Sequence, residues 1–131
     1  MLEPGPEIGA VAVMRVTVTD DLAATFDDEH VHPVYGTASL VRHIEQVSRR
    51  LLVPHLAPGE EGVGVRIEAT HHRPVPVGRD VELTATVTVA SPRRLVTAVV
   101  ARSGRHVVAR GTFEQAVVDL ATWRARSGLP S

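Results

Sequence analysis

Residues 37–56 read TASLVRHIEQVSRRLLVPHL, the one long stretch of the chain with a helical period. At 100° per residue Leu40, Val41, Ile44, Leu51 and Leu52 share an arc, with Val47 at its margin. Arg42, Gln46, Arg49 and Arg50 lie on the other side. Thr37 is a candidate N-cap, and Pro54 followed by Pro58-Gly59 marks the end. Glu45 stands at the rim of the apolar arc, apart from the arginines. Everything after this stretch alternates in the manner of β-strands, which predicts one amphipathic helix covered by a sheet.

Outward from the helix the pattern is simple. Residues 1–9 hold two prolines and two glycines and are expected to form a flexible arm. Ala10 to Thr19 reads as a strand, with Ala12, Met14, Val16 and Val18 on one face. Asp20 to Pro33 is acidic and irregular, and its His30-Val31-His32 suits a loop. After the turn Ala57-Pro58-Gly59-Glu60 come strands at Gly62–Thr70, Asp80–Ala90, Leu95–Arg102 and His106–Leu120, the last with a bulge expected near Gly111. In Asp80–Ala90 the residues Val81, Leu83, Ala85, Val87 and Val89 fall on one face. His71 to Gly78 carries two prolines and pairs poorly. Short connections predict an antiparallel meander of the four later strands, and thus an α+β fold of one helix and a five-stranded antiparallel sheet. Such a sheet leaves an edge in need of cover, so a homodimer is expected.

Composition narrows the function. The chain has 131 residues and a net charge of −1, which argues against nucleic acid or an anionic membrane as partner. With no cysteine there is no disulfide framework, no thiolate nucleophile and no Cys-based metal site. No basic-then-apolar leader and no membrane-length apolar run is seen, so a cytoplasmic protein is expected. His30-x-His32 and His71-His72 lack a third ligand at a confirming spacing, so no metal is expected.

Three residue types attract chemistry. A hydroxyl at Thr37, a carboxylate at Glu45 and an imidazole at His71 are the parts of an acyl-transfer site. The free amides of Gly36, Thr37 and Ala38 at the helix start suit a polarised carbonyl. Glu45 suits attack on it or activation of water, and His71 suits proton transfer near neutral pH. Arg93-Arg94 suits either the phosphates of a nucleotide-bearing substrate or a solvated turn. Each residue also has a plainer role: Thr37 as a cap, Glu45 paired with Arg42 or Arg49, His71 as a structural strand-end residue.

Thr37 and Glu45 eight apart, PHLAPGE after the helix, Gly64, Thr70-His71 closing the next strand, and the later GTFEQAVV form a pattern. It resembles the hotdog-fold thioesterases, and within them the fluoroacetyl-CoA thioesterase group. The resemblance spans about residues 10–125, leaving 126–131 as a tail. It implies a hotdog fold, a dimer with sites at the subunit interface, and a catalytic set of Thr37, Glu45 and His71, with Gly64 against the thioester. It implies hydrolysis of an acyl-CoA or acyl-carrier-protein thioester, without any cofactor beyond the coenzyme A of the substrate. That group carries a phenylalanine-containing lid before the helix. The stretch Asp28 to Pro33 has only Val31 as an apolar counterpart, so a small or aliphatic acyl group is expected, without selection for fluorine. A non-catalytic hotdog domain that binds an acyl thioester, and a hotdog hydratase or dehydratase, are the competing readings. Neither uses all three of Thr37, Glu45 and His71.

Overall fold

The computed structural model describes residues 1–130. Its elements run β1 (Val11–Thr17), β2 (Ala23–Phe26), β3 (Glu29–Tyr35), α1 (Thr37–Leu52), β4 (Glu60–His71), β5 (Asp80–Ser91), β6 (Arg94–Ser103), β7 (His106–Asp119) and α2 (Leu120–Arg126). Five strands form one antiparallel sheet in the order β1-β5-β6-β7-β4, and β2 and β3 form a separate hairpin. The sheet curls around α1, as a hotdog fold requires.

The expected meander holds from β5 to β7. β4 departs from it: it pairs with β7, not with β5, and forms an edge. The reason lies in residues 72–79, whose prolines keep the chain out of the five-stranded sheet while it crosses the sheet end to β5. The amides of His72 and Arg73 both donate to the Val108 carbonyl and anchor this crossover.

On α1 the fully buried side chains are Leu40, Ile44, Val47 and Leu52, set against Leu83, Ala85, Val99 and Phe113 of the sheet and a smaller cluster of Val87, Leu95 and Val117. Each such side chain stabilises the fold by roughly 1.5–3 kcal/mol. Val47 is therefore central to the buried stripe, not marginal. The stripe also holds Ser39, His43 and Ser48. Ser48 is satisfied by Thr97, whose hydroxyl donates to it at 2.7 Å.

Some boundaries differ from the sequence reading. α1 ends at Leu52 and continues as a 3-10 turn, Val53–His55, because Pro54 has no amide to extend the α-helical ladder. Gly111 is in register with Ala69 and Val99, and carries no bulge. A side chain there would put Cβ 2.8 Å from the Glu68 carbonyl oxygen, so glycine is needed for close approach. The extra residues are Val65 in β4, Thr88 in β5 and Val108 in β7. Thr88 breaks the alternation, which is why Val89 turns outward at 38% exposure. The acidic stretch before the helix is not irregular; most of it is the β2–β3 hairpin, turned at Asp27 and Asp28 with φ 50° and 63°. Aspartate is among the few residues that tolerate that conformation.

Residues 1–9 do not hang free as expected. The Leu2 amide donates to the His55 carbonyl, the Gly9 amide donates to the Val87 carbonyl, and the Met1 ammonium meets Glu60 at 2.6 Å. Beyond β7, α2 is a short helix capped by Asp119, which accepts from the Thr122 amide at 2.9 Å. No helix among the described residues is long and apolar enough to cross a membrane.

Candidate active site

The hairpin, the start of α1 and the end of β4 enclose a cleft of about 580 Å³. Gly36, in extended conformation, is the N-cap of α1, and Thr37 is its first helical residue. Gly36 suits the position because a Cβ there would lie 3.2 Å from the Ala24 backbone. The Thr37 hydroxyl is thus not needed as a cap, and it bonds His71 Nδ1 at 3.0 Å. His71 Nε2 is buried and has no hydrogen-bond partner in the protein. Gly36 and Ala38 also line the cleft, with first-turn amides pointing out of the helix.

Behind this pair stands a second one. The Tyr35 hydroxyl and His43 Nδ1 are hydrogen-bonded, and their rings stack with centroids 5.7 Å apart. The edge of Tyr35 meets the His71 ring at 6.1 Å between centroids. Tyr35 is held by its own amide, which donates to the Val75 carbonyl at 2.8 Å. Thr37–His71 therefore leans on a buried aromatic wall.

The other expected residues lie elsewhere in the chain. Glu45 is exposed, two turns or about 12 Å along α1 from Thr37. It forms no hydrogen bond or ion pair among the described residues, and Arg49 bonds Glu61 instead at 2.8 and 2.9 Å. Gly64 lies seven residues before His71 on β4, where a Cβ would meet the Phe113 ring at 3.2 Å. Arg94 pairs in the sheet with Ala116, whereas His71 pairs with Ala109, so seven residues of β7, about 23 Å, separate the two ends. Arg94 forms a two-toothed ion pair with Glu114. The Met1 ammonium and the Ala57 amide hold the Glu60 carboxyl below its usual range, and Thr122 does so for Asp119, with nearby Arg93 adding the smallest share to each. Val31 is half exposed and does not line the cleft; Phe26, His32 and Val34 of the hairpin do. Among the described residues no group of three or more His, Asp or Glu could hold a metal ion.

The model of the fluoroacetyl-CoA-specific thioesterase family matches residues 18–121. The chain belongs to this family. It is 34% identical over 93 residues to the fluoroacetyl-CoA thioesterase of Streptantibioticus cattleyicolor, covering 71% of this chain and 67% of that one. A Thermus thermophilus hypothetical protein of the thioesterase superfamily superposes with a TM-score of 0.89 at 29% identity, over 95% of this chain and 93% of the other. A structure of the fluoroacetyl-CoA thioesterase FlK gives 0.86 at 27% identity, over 95% and 96%. The protein is thus a hotdog-fold thioesterase, a thioester hydrolase.

In this thioesterase the wall residues Tyr35 and His43 escaped the sequence reading. His43 follows Leu40 by three and precedes Val47 by four, so the helical period itself marks it as inward-facing. Burial pushes the Tyr35 hydroxyl pKa up, so it stays protonated. Burial first, then the neighbouring Arg42, push His43 down from 6.5. Burial also lowers His71, with the adjacent His72 adding to it and a backbone hydrogen bond at Arg73 opposing it. Both imidazoles are therefore neutral at pH 7.

The sign for stability follows. Below pH 6.5 the unfolded chain binds protons at these positions that the folded chain does not, so stability is full above 6.5 and declines as pH falls through the lowered folded values. The melting temperature is expected to be level from pH 8 to 7 and to drop progressively below about 6.5. A level profile down to about pH 5.5 would contradict both shifts.

Proposed function

We propose that this thioesterase hydrolyses small or aliphatic acyl-CoA thioesters at a site completed by a second copy of the chain. The observation that carries this is the Thr37–His71 hydrogen bond at the start of α1, inside a cleft of a size to admit an acyl group. The first-turn amides of α1 point where a thioester carbonyl oxygen would sit, and the positive end of the helix favours charge growing there.

Glu45 supplies the missing carboxylate, but from the partner. Thr37 begins the helix, so no loop folds it back toward Glu45. Glu45 lies one turn before Arg49, whose guanidinium reaches Glu61 on β4, so both face the β4 side of the helix. β4 is a bare sheet edge. The N-terminus of α1 lies at the His71 end of β4, and Leu52, its last residue, lies against Gly62 at the other end. Two copies joined antiparallel along β4 set their helices side by side in opposite directions. Each Glu45 then faces the Thr37–His71 pair of the other copy.

In the reaction Glu45 attacks the carbonyl carbon, or takes a proton from a water that does so, and the C–S bond breaks to release CoA as its thiolate. If the carboxylate attacked, water then hydrolyses the acyl–Glu45 anhydride. His71, neutral at pH 7, suits the base that takes the proton of that water. Thr37 orients the imidazole through its Nδ1.

The hairpin supports a small acyl group without fluorine selection. The one lid-stretch residue in the cleft is His32; Val31 faces away, and Phe26, from the other strand, is largely solvent-exposed. A free-thiol assay over an acyl-CoA panel tests the reading. Acetyl-CoA and fluoroacetyl-CoA are expected to give kcat/KM values within about tenfold of each other, a gap of about 1.4 kcal/mol. A preference for the fluorinated substrate by several orders of magnitude would show the lid reading to be wrong, and no turnover of any acyl-CoA would remove the proposal itself.

A further inference from the structure

We infer that the crossover and the β6–β7 turn form a phosphate-binding subsite for the coenzyme A moiety, made by Arg73, Arg79, Arg105 and His106. It rests on the acyl-CoA reading above and adds where the nucleotide end of the substrate is held. These four side chains line a groove of about 440 Å³ to which no Asp or Glu contributes. The nearest acid in sequence, Asp80, is turned away and accepts a hydrogen bond from Thr17 at 2.7 Å.

Three observations raise the cluster above an ordinary solvated patch. First, four arginines elsewhere in the chain are held by carboxylates: Arg15 with Glu82, Arg49 with Glu61, Arg66 with Glu68 and Arg94 with Glu114. None of Arg73, Arg79 and Arg105 has a carboxylate partner among the described residues. Three unpaired guanidinium groups gathered on a chain of net charge −1 make a local excess of positive charge that favours a multiply charged anion. Second, the groove continues the acyl cleft, for Arg73 and Pro74 line both. Third, the span is right. Ala109 lies opposite His71, and His106 begins β7 three residues earlier, about 10 Å away. A pantetheine arm is long enough to cover this distance, so a thioester at His71 leaves the phosphates within reach of the groove. Prolines 74 and 76 and the Val108 anchor hold the crossover in shape before the ligand arrives.

Arg93 and Arg94 are thereby relieved of the phosphate role the sequence suggested. Arg94 is already engaged by Glu114, and a guanidinium held by carboxylate is a poor phosphate ligand; Arg93 stands at the same far end of the sheet, near Glu60 and Asp119.

The test uses the full chain and calorimetry with CoA and with pantetheine, comparing wild type with Arg79→Glu/Arg105→Glu. Both side chains are exposed, and a thermal melt checks that the variant folds. CoA is expected to bind the variant at least tenfold more weakly, pantetheine equally to both proteins, and wild-type affinity for CoA to fall steeply with salt. Arg105→Ala alone, in a solvent-facing turn, is expected to show the same trend more weakly. Equal CoA affinity in wild type and variants overturns the subsite, as does an equal loss for pantetheine. A variant that binds CoA normally but slows turnover of an acylated carrier protein also overturns it, since the patch would then dock a protein. Absence of acyl-CoA turnover in wild type, with the CoA discrimination intact, would instead remove the hydrolysis reading and leave the subsite standing.

Discussion

Glu45→Gln lowers kcat by about a hundredfold or more, the scale of a lost general base or nucleophile. The amide keeps the size and most of the hydrogen bonding of the carboxylate, and the position is exposed and unpaired, so the fold has little reason to change. What disappears is the carboxylate on which the proposed reaction relies. Thr37→Ala is expected to cost less, because the first-turn amides survive and His71 loses one orienting contact of 3.0 Å. Initial rates on acetyl-CoA, with sedimentation to verify an unchanged assembly, measure both. A Glu45→Gln enzyme that is folded, assembled and as fast as wild type would return Glu45 to the status of a surface acid.

Mixing Glu45→Gln chains with His71→Ala chains restores activity that neither has alone. If the carboxylate and the imidazole of a site come from different copies, a hybrid dimer holds one intact site and one doubly damaged site. Random reassortment makes half the dimers hybrid, so about a quarter of the wild-type rate per chain returns. If both groups came from one chain, a hybrid would hold no intact site and nothing would return. The mixture must be shown to exchange subunits, for instance by mass spectrometry of differently labelled chains. Exchange without recovery would dismantle the shared-site geometry, even if each single variant were as damaged as expected.

Much of the fold was legible because its causes are local. Val81, Leu83, Ala85 and Val87 alternate and are all buried, and α1 begins where the apolar period begins. Val89 was misread because a single inserted residue, Thr88, reverses the faces, and nothing in the letters announces it. The buried stripe of α1 was read off-centre because three of its members are polar. Ser48 reaches Thr97 and His43 reaches Tyr35, partners that exist only after folding. The pairing of β4 with β7 joins residues far apart in sequence, and the length of the crossover was the only hint. The hairpin was hidden by its acids, which read as solvated loop.

Of the site, the Thr37–His71 pair was legible through resemblance and is joined in the structure by a hydrogen bond. Glu45 was legible only as a residue; within one chain it stands exposed, about 12 Å along α1 from Thr37. The arginines show the limit of reading adjacency as function. Arg93-Arg94 stood out because they are neighbours in sequence, whereas Arg73, Arg79 and Arg105 are scattered in sequence and neighbours in space.

The β2–β3 hairpin shares no strand with the five-stranded sheet. It is fastened at its root, where the Gly36 amide donates to the Leu22 carbonyl, Tyr35 donates to Val75, and Val34 bridges Pro76. Thr37, Glu45 and His71 stand on α1 and β4, outside it. Under the proposed reaction, chemistry and acyl choice are carried by separable modules. The segment from Ala24 to Val34 can be lengthened, shortened or exchanged with that of a relative while Tyr35, Thr37 and His71 keep their places. Under that reading, a change of substrate needs only one solvent-facing ribbon to be redrawn over an unchanged engine.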